Sequence, residues 1–334
     1  MSVGVFLVTY NHAAPLPSAL GSLVGQRHLA QVVVVDNASQ DGSAQVAEAF
    51  ASQLPLEVVA LEENTGFARG ANLALGRLAT PWVLSLNPDC RLTEGFLETL
   101  LAAAARHPEV GSATGLLLRG VGDQLEASSV VDAAGMVVTA AGRHLDRGAG
   151  QPLAARFLEP AWVFGATAAC ALYRRQALED VAYPGGEVFD EAFFAYREDA
   201  DLAWRLARRG WRCLFWPQAR AYHRRGLRPE RGRDQRPEVN MHGVKNRFLL
   251  RWANADWRWH LGCFPFWLLR DLVVVAACLT VERSSLRAFS LLRELRGRQR
   301  EKGRWNARRA RVSTGRLLPW FFPPWQTRRY RPCA

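Results

Sequence analysis

Short apolar segments alternate with amphipathic segments through the first 120 residues of the chain. Four apolar runs, rich in β-branched residues and without polar alternation, predict buried strands at 3–8, 32–35, 58–61 and 83–86. Helical patterns lie at 15–25, 43–53, 66–78 and 94–106. This alternation predicts an α/β fold, with a central and mainly parallel sheet that helices cover on both faces.

Polar residues follow each predicted strand. TYN begins at Thr9, DNASQDGS at Asp36, EENTGFARGAN at Glu62 and NPDC at Asn87. In open parallel sheets, ligands bind beyond the carboxyl ends of the strands, so the sequence predicts a ligand site at this edge. The chain has neither a GxxxxGK[ST] motif nor a GxGxxG motif after the first strand, which argues against Walker-type and nicotinamide-binding sites.

The second part of the chain has a different pattern. Shorter β-like runs with glycines fill 111–173, and residues 199–210 predict an amphipathic helix that Gly210 ends. Leu202 and Leu206 are expected to face the core, while Arg205, Arg208 and Arg209 face outward. Residues 226–237 are rich in arginine and proline and predict a linker or mobile loop between a domain at 1–225 and a helical region at 238–334.

Two acidic residues stand directly after predicted strands. Asp36 could accept a hydrogen bond from a nucleobase or a ribose hydroxyl, although Asp and Asn are also common in turns and helix N-caps. Asp89, two residues after Asn87, could hold a divalent cation that stabilises a diphosphate leaving group. An Asn-Pro-Asp turn without such a role remains the alternative.

The crowded acidic residues Glu198, Asp199 and Asp201 form the strongest local signal. Like charges at this spacing repel each other unless a helix N-terminus or a cation compensates for them. One of them could be the general base that removes a proton from a hydroxyl group. Plain acidic capping of a helix is the alternative, and His223, taken alone, is read as a surface or core histidine.

Composition and charge refine the picture. The chain is 49% hydrophobic and 22% charged, which is typical of globular proteins. Its six scattered cysteines form no CxxC pair, and the apolar run at the N-terminus is short for a secretory signal, so a reducing cytoplasm is expected. Residues 1–281 carry 28 basic and 28 acidic side chains. Residues 282–334 carry 15 basic and 3 acidic ones, and so hold the whole net charge of +12.

These motifs, in this order, resemble the inverting GT-A glycosyltransferases of family 2, and most of all the bacterial rhamnosyltransferase-like members. The resemblance covers residues 1–225 and includes GATAACAL and FDEAFFAYREDADLAWRLARRGW. It implies a GT-A fold and an inverting hexosyltransferase that moves rhamnose from dTDP-rhamnose to a surface polysaccharide or a lipid-linked acceptor. A family 2 enzyme that uses a UDP-sugar, or a non-catalytic binding module, is the alternative.

The resemblance also implies roles for individual residues. Asp199 is the expected base with Glu198 beside it, and Asp89 with His223 is expected to hold Mg²⁺ or Mn²⁺. Asn87 stands where many members have the first acid of their DxD motif. The residues expected at the donor are Thr9, Tyr10, Asn11, Asp36, Asn64, Gly66, Arg69, Asn72, Asn87 and Asp89. Those expected at the acceptor are Gly165, Ala166, Asp201, Trp204 and Arg205.

The C-terminal third combines arginine with tryptophan. The only candidate membrane span, 261–281, is interrupted by Pro265, Arg270 and Asp271, and so predicts an interfacial or buried segment. We expect the basic tail beyond Glu282 to bind an anionic membrane surface at the cytoplasmic face, helped by aromatic side chains, and to be dispensable for folding. The aromatic residues concerned are Trp305, Trp320, Phe321, Phe322 and Trp325. A protein interface and nucleic acid are the rival partners of the tail, and nucleic acid is not expected.

Overall fold

The computed structural model describes residues 1–224, 237–323 and 327–330 of the 334-residue chain. The linker predicted at 226–237 lies outside the described residues, except for Pro237, which begins a helix. Trp325, one of the aromatic residues expected at a membrane, also lies outside them.

Four strands form the parallel half of the main sheet: β1 Val3–Thr9, β2 Leu29–Asp36, β3 Leu56–Ala60 and β4 Trp82–Leu86. β1 lies between β4 and β2, and β3 lies outside β2, all parallel to one another. Every residue of β1 and β4 is buried, as expected for strands that are covered on both faces. The four predicted strands are therefore confirmed, with boundaries that shift by one to three residues.

Four helices accompany these strands: α1 Leu16–Gly21, α2 Ser43–Glu48, α3 Gly66–Arg77 and α4 Phe96–Ala105. Side chains alternate along β1, so Val5 and Leu7 join one core with residues of α1, α2 and α4. Phe6 and Val8 join a second core with residues of α3 on the opposite face. The mixed α/β architecture predicted from the sequence is thus confirmed.

The rest of the main sheet is mixed in direction. Its strands are β5 Cys90–Leu92, β6 Val110–Val121, β7 Glu126–Ala133, β10 Ala161–Val163, β11 Cys170–Arg174, β12 Arg212–His223 and β13 Thr327–Arg329, while β8 Met136–Val138 and β9 His144–Asp146 form a separate hairpin. The antiparallel strand β11 joins β4 to β6, and β12 runs parallel to β6. The last residue of β12, His223, lies opposite Cys90, so β12 ends at the carboxyl edge of β4.

Two more helices, α5 Arg175–Val181 and α6 Glu198–Arg209, pack on the face that carries α3. Gly210 adopts a left-handed conformation and ends α6, as predicted. The expected outward orientation of Arg205 and Arg208 is wrong, since both side chains are buried. Arg205 forms an ion pair with Asp201 one turn earlier and donates to the carbonyls of Val181 and Val188, which satisfies its charge inside the protein.

The C-terminal region folds into α7 Pro237–Asn254, α8 Trp257–Gly262, α9 Phe266–Thr280, α10 Arg287–Arg309 and α11 Thr314–Leu317. Leu249 of α7, Leu292 of α10 and Phe321 share a core with Trp204 of α6. β13 pairs with β10 and extends the main sheet. This region therefore packs as part of the fold, and its contacts argue against the prediction of a dispensable tail.

Three of the aromatic residues expected at a membrane pack against the core of the protein instead. Phe321 is buried, and Trp320 and Phe322 pack partly buried against the same core. No helix in the described parts of the chain combines the length and the hydropathy that a membrane span requires.

Candidate active site

The carboxyl ends of β1 and β2 bring two predicted donor-binding residues together. Thr9 lies beside Asp36 in the sheet register, and both are buried. One oxygen of the Asp36 carboxylate accepts a hydrogen bond from the amide of Ser39 at 2.9 Å. Its other oxygen and the Thr9 hydroxyl have no hydrogen-bond partner among the described residues. Buried polar atoms without protein partners are rare, and at the edge where open parallel sheets bind ligands these two oxygens are available to one.

The loop after β1 contributes Tyr10 and Asn11. Tyr10 is exposed beside Thr9, and can therefore reach a ligand at the sheet edge. Asn11 adopts a left-handed conformation and binds the neighbouring loop. Its amide donates to the Ser39 hydroxyl at 2.9 Å, and its side-chain oxygen accepts from the amide of Gln40 at 2.8 Å. Asn11 thus shapes the rim around Asp36.

The start of α3 approaches the segment before α6 closely. A Cβ atom at Gly66, whose φ is +83°, would lie 2.5 Å from the carbonyl oxygen of Phe194, so only glycine fits there. Asn64 accepts a hydrogen bond from the amide of Gly66 at 2.9 Å, and Arg69 is exposed on the same end of the helix. Asn72 is placed differently from its prediction. Its side chain donates to the carbonyl of Phe189 and accepts from the amide of the same residue, both at 2.8 Å. Asn72 therefore anchors the segment around Phe189, and its side-chain amide is not free to bind a nucleotide sugar.

Asp89 and His223 meet at the end of β4. The Nε2 atom of His223 lies 3.3 Å from Oδ1 of Asp89 and 3.5 Å from Nδ2 of Asn87. Asp132 of β7, which sequence reasoning missed, lies 2.8 Å from Nδ1 of the same imidazole. This second carboxylate orients the ring so that Nε2 points at Asp89, an arrangement typical of metal-binding histidines.

The two carboxylates also set the charge of the histidine. Burial alone lowers the pKa of His223, but the hydrogen bonds and charges of Asp132 and Asp89 raise that pKa well above its ordinary value. Burial raises the pKa of Asp89, and the imidazole more than offsets this, so the Asp89 pKa is lowered. Among the described residues, no group of three or more His, Cys, Asp and Glu side chains could hold a metal ion. A cation here would displace the proton from Nε2 of His223, and Asp89 with the neutral imidazole would then be its two protein ligands, while substrate and water complete its shell.

The turn before α6 is held in an unusual conformation. Phe194, Tyr196 and Arg197 all have positive φ angles, between +65° and +75°. Asn246 of α7, which is fully buried, holds this turn by donating to the carbonyls of Ala195 at 2.8 Å and Tyr196 at 2.6 Å. A non-glycine residue with positive φ costs about 1–3 kcal/mol, and such strain clusters at functional sites. The C-terminal region therefore shapes the segment that presents the predicted base.

Asp199, the predicted base, sits on the first turn of α6 and is half-buried. Its carboxylate accepts hydrogen bonds from the amides of Ala200 at 2.7 Å and Ala168 at 3.3 Å. Burial and the charge of Asp146 raise the pKa of Asp199, the two amides lower it, and the balance is about 6. A carboxylate with such a pKa is ionised at neutral pH and is a better proton acceptor than an ordinary one.

Glu198 lies next to the predicted base and is buried. Burial and the charge of Asp199 raise the pKa of Glu198 well above its ordinary value. One of its oxygens has no hydrogen-bond partner among the described residues.

The predicted acceptor-binding residues are placed mainly in the interior. Asp201, Trp204 and Arg205 are at most 3% exposed, and Asp201 also accepts a hydrogen bond from Asn254 of α7 at 2.6 Å. They stabilise α6 from inside, which corrects the expected contact with an acceptor. Gly165 is buried and lets the backbone of its loop pack directly against Ala203, and Ala166 is buried beside it. This loop lies next to Ala168, which binds the predicted base.

The structure thus defines an α/β enzyme of the GT-A type, with acidic residues gathered at the carboxyl edge of a mainly parallel sheet. The chain belongs to glycosyl transferase family 2, whose model matches residues 4–182. The predicted family, fold class and enzyme class are confirmed.

Three proteins show what this chain is similar to beyond the family match. The N-acetylglucosaminyl-diphospho-decaprenol L-rhamnosyltransferase of Mycobacterium tuberculosis is 29% identical over 317 residues, which cover 85% of this chain and 94% of that protein. The structure of S. aureus TarS 1–349 in complex with UDP-GlcNAc matches with a TM-score of 0.53 and 21% identity, and covers 92% and 90% of the two chains. GalNAc-T7 with UDP, GalNAc and Mn²⁺ matches with a TM-score of 0.58 and 14% identity, but this chain spans about half of it, since 75% of this chain aligns with 48% of that one.

Proposed function

We propose that this glycosyltransferase transfers rhamnose from dTDP-rhamnose to a hydroxyl group of a lipid-linked acceptor, with inversion at the anomeric carbon. The observation that carries this proposal is the similarity to the mycobacterial rhamnosyltransferase, which covers 85% of this chain and so reaches beyond residues 1–225 into the C-terminal region. That region matters here because α7 holds the turn in front of Asp199. A growing surface polysaccharide is the other acceptor class that the sequence suggests.

The reaction needs one proton acceptor on the side of the acceptor substrate. The acceptor oxygen forms a bond to the anomeric carbon while the bond from that carbon to the diphosphate oxygen breaks. Asp199 takes the hydroxyl proton, and the nucleoside diphosphate leaves from the opposite face of the sugar. The half-buried carboxylate with a pKa of about 6 supports this role, and the raised pKa of Glu198 favours a neutral neighbour beside it.

We place the nucleotide-sugar donor at the carboxyl edge of the parallel strands. Asp36, Thr9 and Tyr10 bind the nucleobase and ribose, supported by the unpartnered oxygens of Asp36 and Thr9. Asn64, in the turn before α3, and Gly66 and Arg69, in the first turn of α3, would face the sugar diphosphate. Asp89 and His223 would hold Mg²⁺ or Mn²⁺, a cation that neutralises the charge developing on the leaving diphosphate.

A family 2 enzyme that uses a UDP-sugar is the main alternative, and a donor screen separates the two. Thermal shift and slow hydrolysis are measured with dTDP-rhamnose, UDP-sugars and GDP-sugars, each with Mg²⁺ or Mn²⁺. A ligand that binds only the native protein raises its melting temperature. We expect dTDP-rhamnose to give the largest rise and to be hydrolysed. A larger effect of a UDP-sugar would favour the alternative, and binding without any hydrolysis or transfer would favour a binding module.

We also propose that the protein binds peripherally to an anionic membrane, at its inner face, through α8 and α9. Of α9, only Val274 and Cys278 are buried. Large apolar side chains on and beside α8 and α9 are exposed: Trp257, Leu261, Phe264, Phe266, Leu269, Leu272, Val273, Leu279 and Val281. So many exposed apolar side chains on two consecutive helices, in a chain whose net charge of +12 falls after residue 281, fit an anionic interface. We therefore propose these two helices, in place of the predicted aromatic tail, as the membrane contact.

Sedimentation with anionic liposomes tests this contact. We expect the full chain to sediment at low salt, and the double variant Leu269→Glu with Leu272→Glu to stay in solution. Val121→Glu, at an exposed apolar position at the end of β6, is the matched control and should sediment like the parent. A parent protein that ignores liposomes but binds oligonucleotides or a second protein would contradict the proposal.

A further inference from the structure

Arginines from four separate segments converge beside the predicted base. Arg197 directly precedes Glu198 and Asp199, and Arg247 and Arg251 lie one turn apart on α7. Arg251 bonds to Asp271 of α9, which places Arg270 next to it. A Cβ atom at Gly142 would lie 3.3 Å from Cδ of Arg251, so the loop that carries Arg143 also packs here. We call Arg143, Arg197, Arg247, Arg251 and Arg270 the arginine cluster.

The cluster contains buried cationic atoms without protein partners. Arg247 and Arg251 are each 4% exposed. In the parts of the chain that the structure describes, Nε and Nη1 of Arg247, Nη1 of Arg197 and Nη1 of Arg251 have no hydrogen-bond partner. A buried guanidinium group without a partner is unfavourable, because it loses hydration and gains nothing in return. Such atoms indicate that an anionic ligand completes the site.

The electrostatics agree with this geometry. Burial, together with the charges of Arg197 and Arg270, lowers the pKa of Arg247 to about 9, and Asp271 partly opposes this. Burial and the charge of Arg143 lower the pKa of Arg197 to about 10, and Asp199 partly opposes this. The cationic groups therefore repel each other within one small region, and a polyanion would relieve this repulsion.

Guanidinium groups favour phosphate oxygens as partners. Their planar donors match two phosphate oxygens at once, and several of them together suit a diphosphate better than a single carboxylate. The donor diphosphate is already assigned to Asp89 and His223, which lie on the other side of the loop that joins the two regions. In that loop, Ala168 donates to Asp199, and the carbonyl of Ala169 accepts from the amide of Asn87.

We propose that the arginine cluster binds the diphosphate group of the lipid-linked acceptor and so places its sugar hydroxyl at Asp199. This assignment rests on the proposed function, because it presumes an acceptor with a diphosphate ester. The exposed side chains of Leu269, Leu272 and Val273 flank Arg270 and Asp271 along α9. The hydrocarbon chain of the acceptor would leave the diphosphate along this surface toward the membrane.

The first experiment measures binding without any reaction. With the donor site saturated by dTDP, inorganic diphosphate is added, and the melting temperature is recorded for the parent, Arg247→Gln and Arg258→Gln. Arg258 is the matched control, since it is exposed on α8 with its guanidinium over the ring of Trp257. We expect a further rise for the parent and the control, and an affinity for diphosphate at least about tenfold weaker in Arg247→Gln. No rise in the parent, or an equal rise in Arg247→Gln, would overturn the proposal.

The second experiment compares two acceptors, decyl diphospho-N-acetylglucosamine and the decyl glycoside of N-acetylglucosamine without diphosphate. We expect the parent to prefer the diphosphate acceptor in KM by roughly tenfold or more, and Arg247→Gln to lose most of this preference. Arg247→Lys keeps the positive charge but loses the planar pair of guanidinium donors, so its preference for the diphosphate acceptor should be intermediate. This variant also serves as the test if Arg247→Gln does not fold. Equal KM values for both acceptors in the parent would refute the diphosphate site. Absence of dTDP-rhamnose hydrolysis in the parent would instead refute the proposed function.

Discussion

The contact between Asn246 and the turn before α6 gives the sharpest test of how the C-terminal region serves the active site. Asn246→Ala removes hydrogen bonds to three carbonyls, those of Phe193 at 3.0 Å, Ala195 at 2.8 Å and Tyr196 at 2.6 Å. Each bond contributes about 0.5–1.5 kcal/mol, and a buried carbonyl left without a donor costs about 1–3 kcal/mol. We therefore expect the free energy of unfolding to fall by roughly 2–4 kcal/mol.

The effect on catalysis should exceed the effect on folding. The turn contains residues with positive φ, and it relaxes when the donor that holds it is lost. A displacement of about 1 Å near a reacting group can reduce the rate about 100-fold, so we expect kcat to fall at least tenfold while the KM for the donor changes little.

Denaturant unfolding and steady-state kinetics on the same preparations measure both quantities. Val58→Ala, at a partly buried position on β3 far from the turn, is the control that loses stability without loss of kcat. A fully active Asn246→Ala variant, or an equal loss of kcat in the control, would refute the idea that α7 positions the base.

Three other outcomes follow from the same structure. The kcat/KM of the parent should decline below about pH 6, because Asp199 must be ionised to accept a proton. The charged or titratable groups that interact with its carboxylate are Asp146, Glu198, Arg197 and Tyr173. A profile that stays flat down to pH 5 would contradict this. Asp132→Ala should reduce the apparent affinity for Mn²⁺ by about 10–100-fold in a metal titration of activity, because the ring of His223 loses its orienting partner; an unchanged titration would argue against a metal at this histidine. Truncation after Glu282 should abolish cooperative thermal unfolding, because α10 contributes to the core, and a truncated protein that melts like the full chain would contradict this role.

Local pattern was sufficient for the parallel half of the fold. Strands such as β1 are apolar throughout because both faces are covered, and this composition is visible in the sequence. The edge of the sheet that gathers Thr9 and Asp36 follows from topology once the strands are known. Asp89 and His223 were brought together only by the family resemblance, since they are far apart in the chain.

Contacts between distant polar residues could not be predicted from the sequence. Asp132 supports His223 across 91 positions, and nothing in its strand marks it as a partner. In α10, the charged pattern suggested a solvated tail, yet Lys302 is buried and pairs with Asp190 at 2.7 Å, and Gln299 is fully buried beside it. In the sequence, a buried polar residue of this kind cannot be told from a surface residue, because its partner lies far away in the chain.

The central claim is that Asp199 is the base of an inverting sugar transfer, and its amide variant tests this most directly. Asp199→Asn keeps the size of the side chain but removes the proton acceptor. The measurement is the initial rate of transfer from dTDP-rhamnose to decyl diphospho-N-acetylglucosamine, with donor affinity determined on the same protein. We predict a loss of turnover of about 100-fold or more with nearly unchanged donor affinity, and an inverted anomeric configuration in the product of the parent. Near-normal turnover in Asp199→Asn, or a product with retained configuration, would contradict this account.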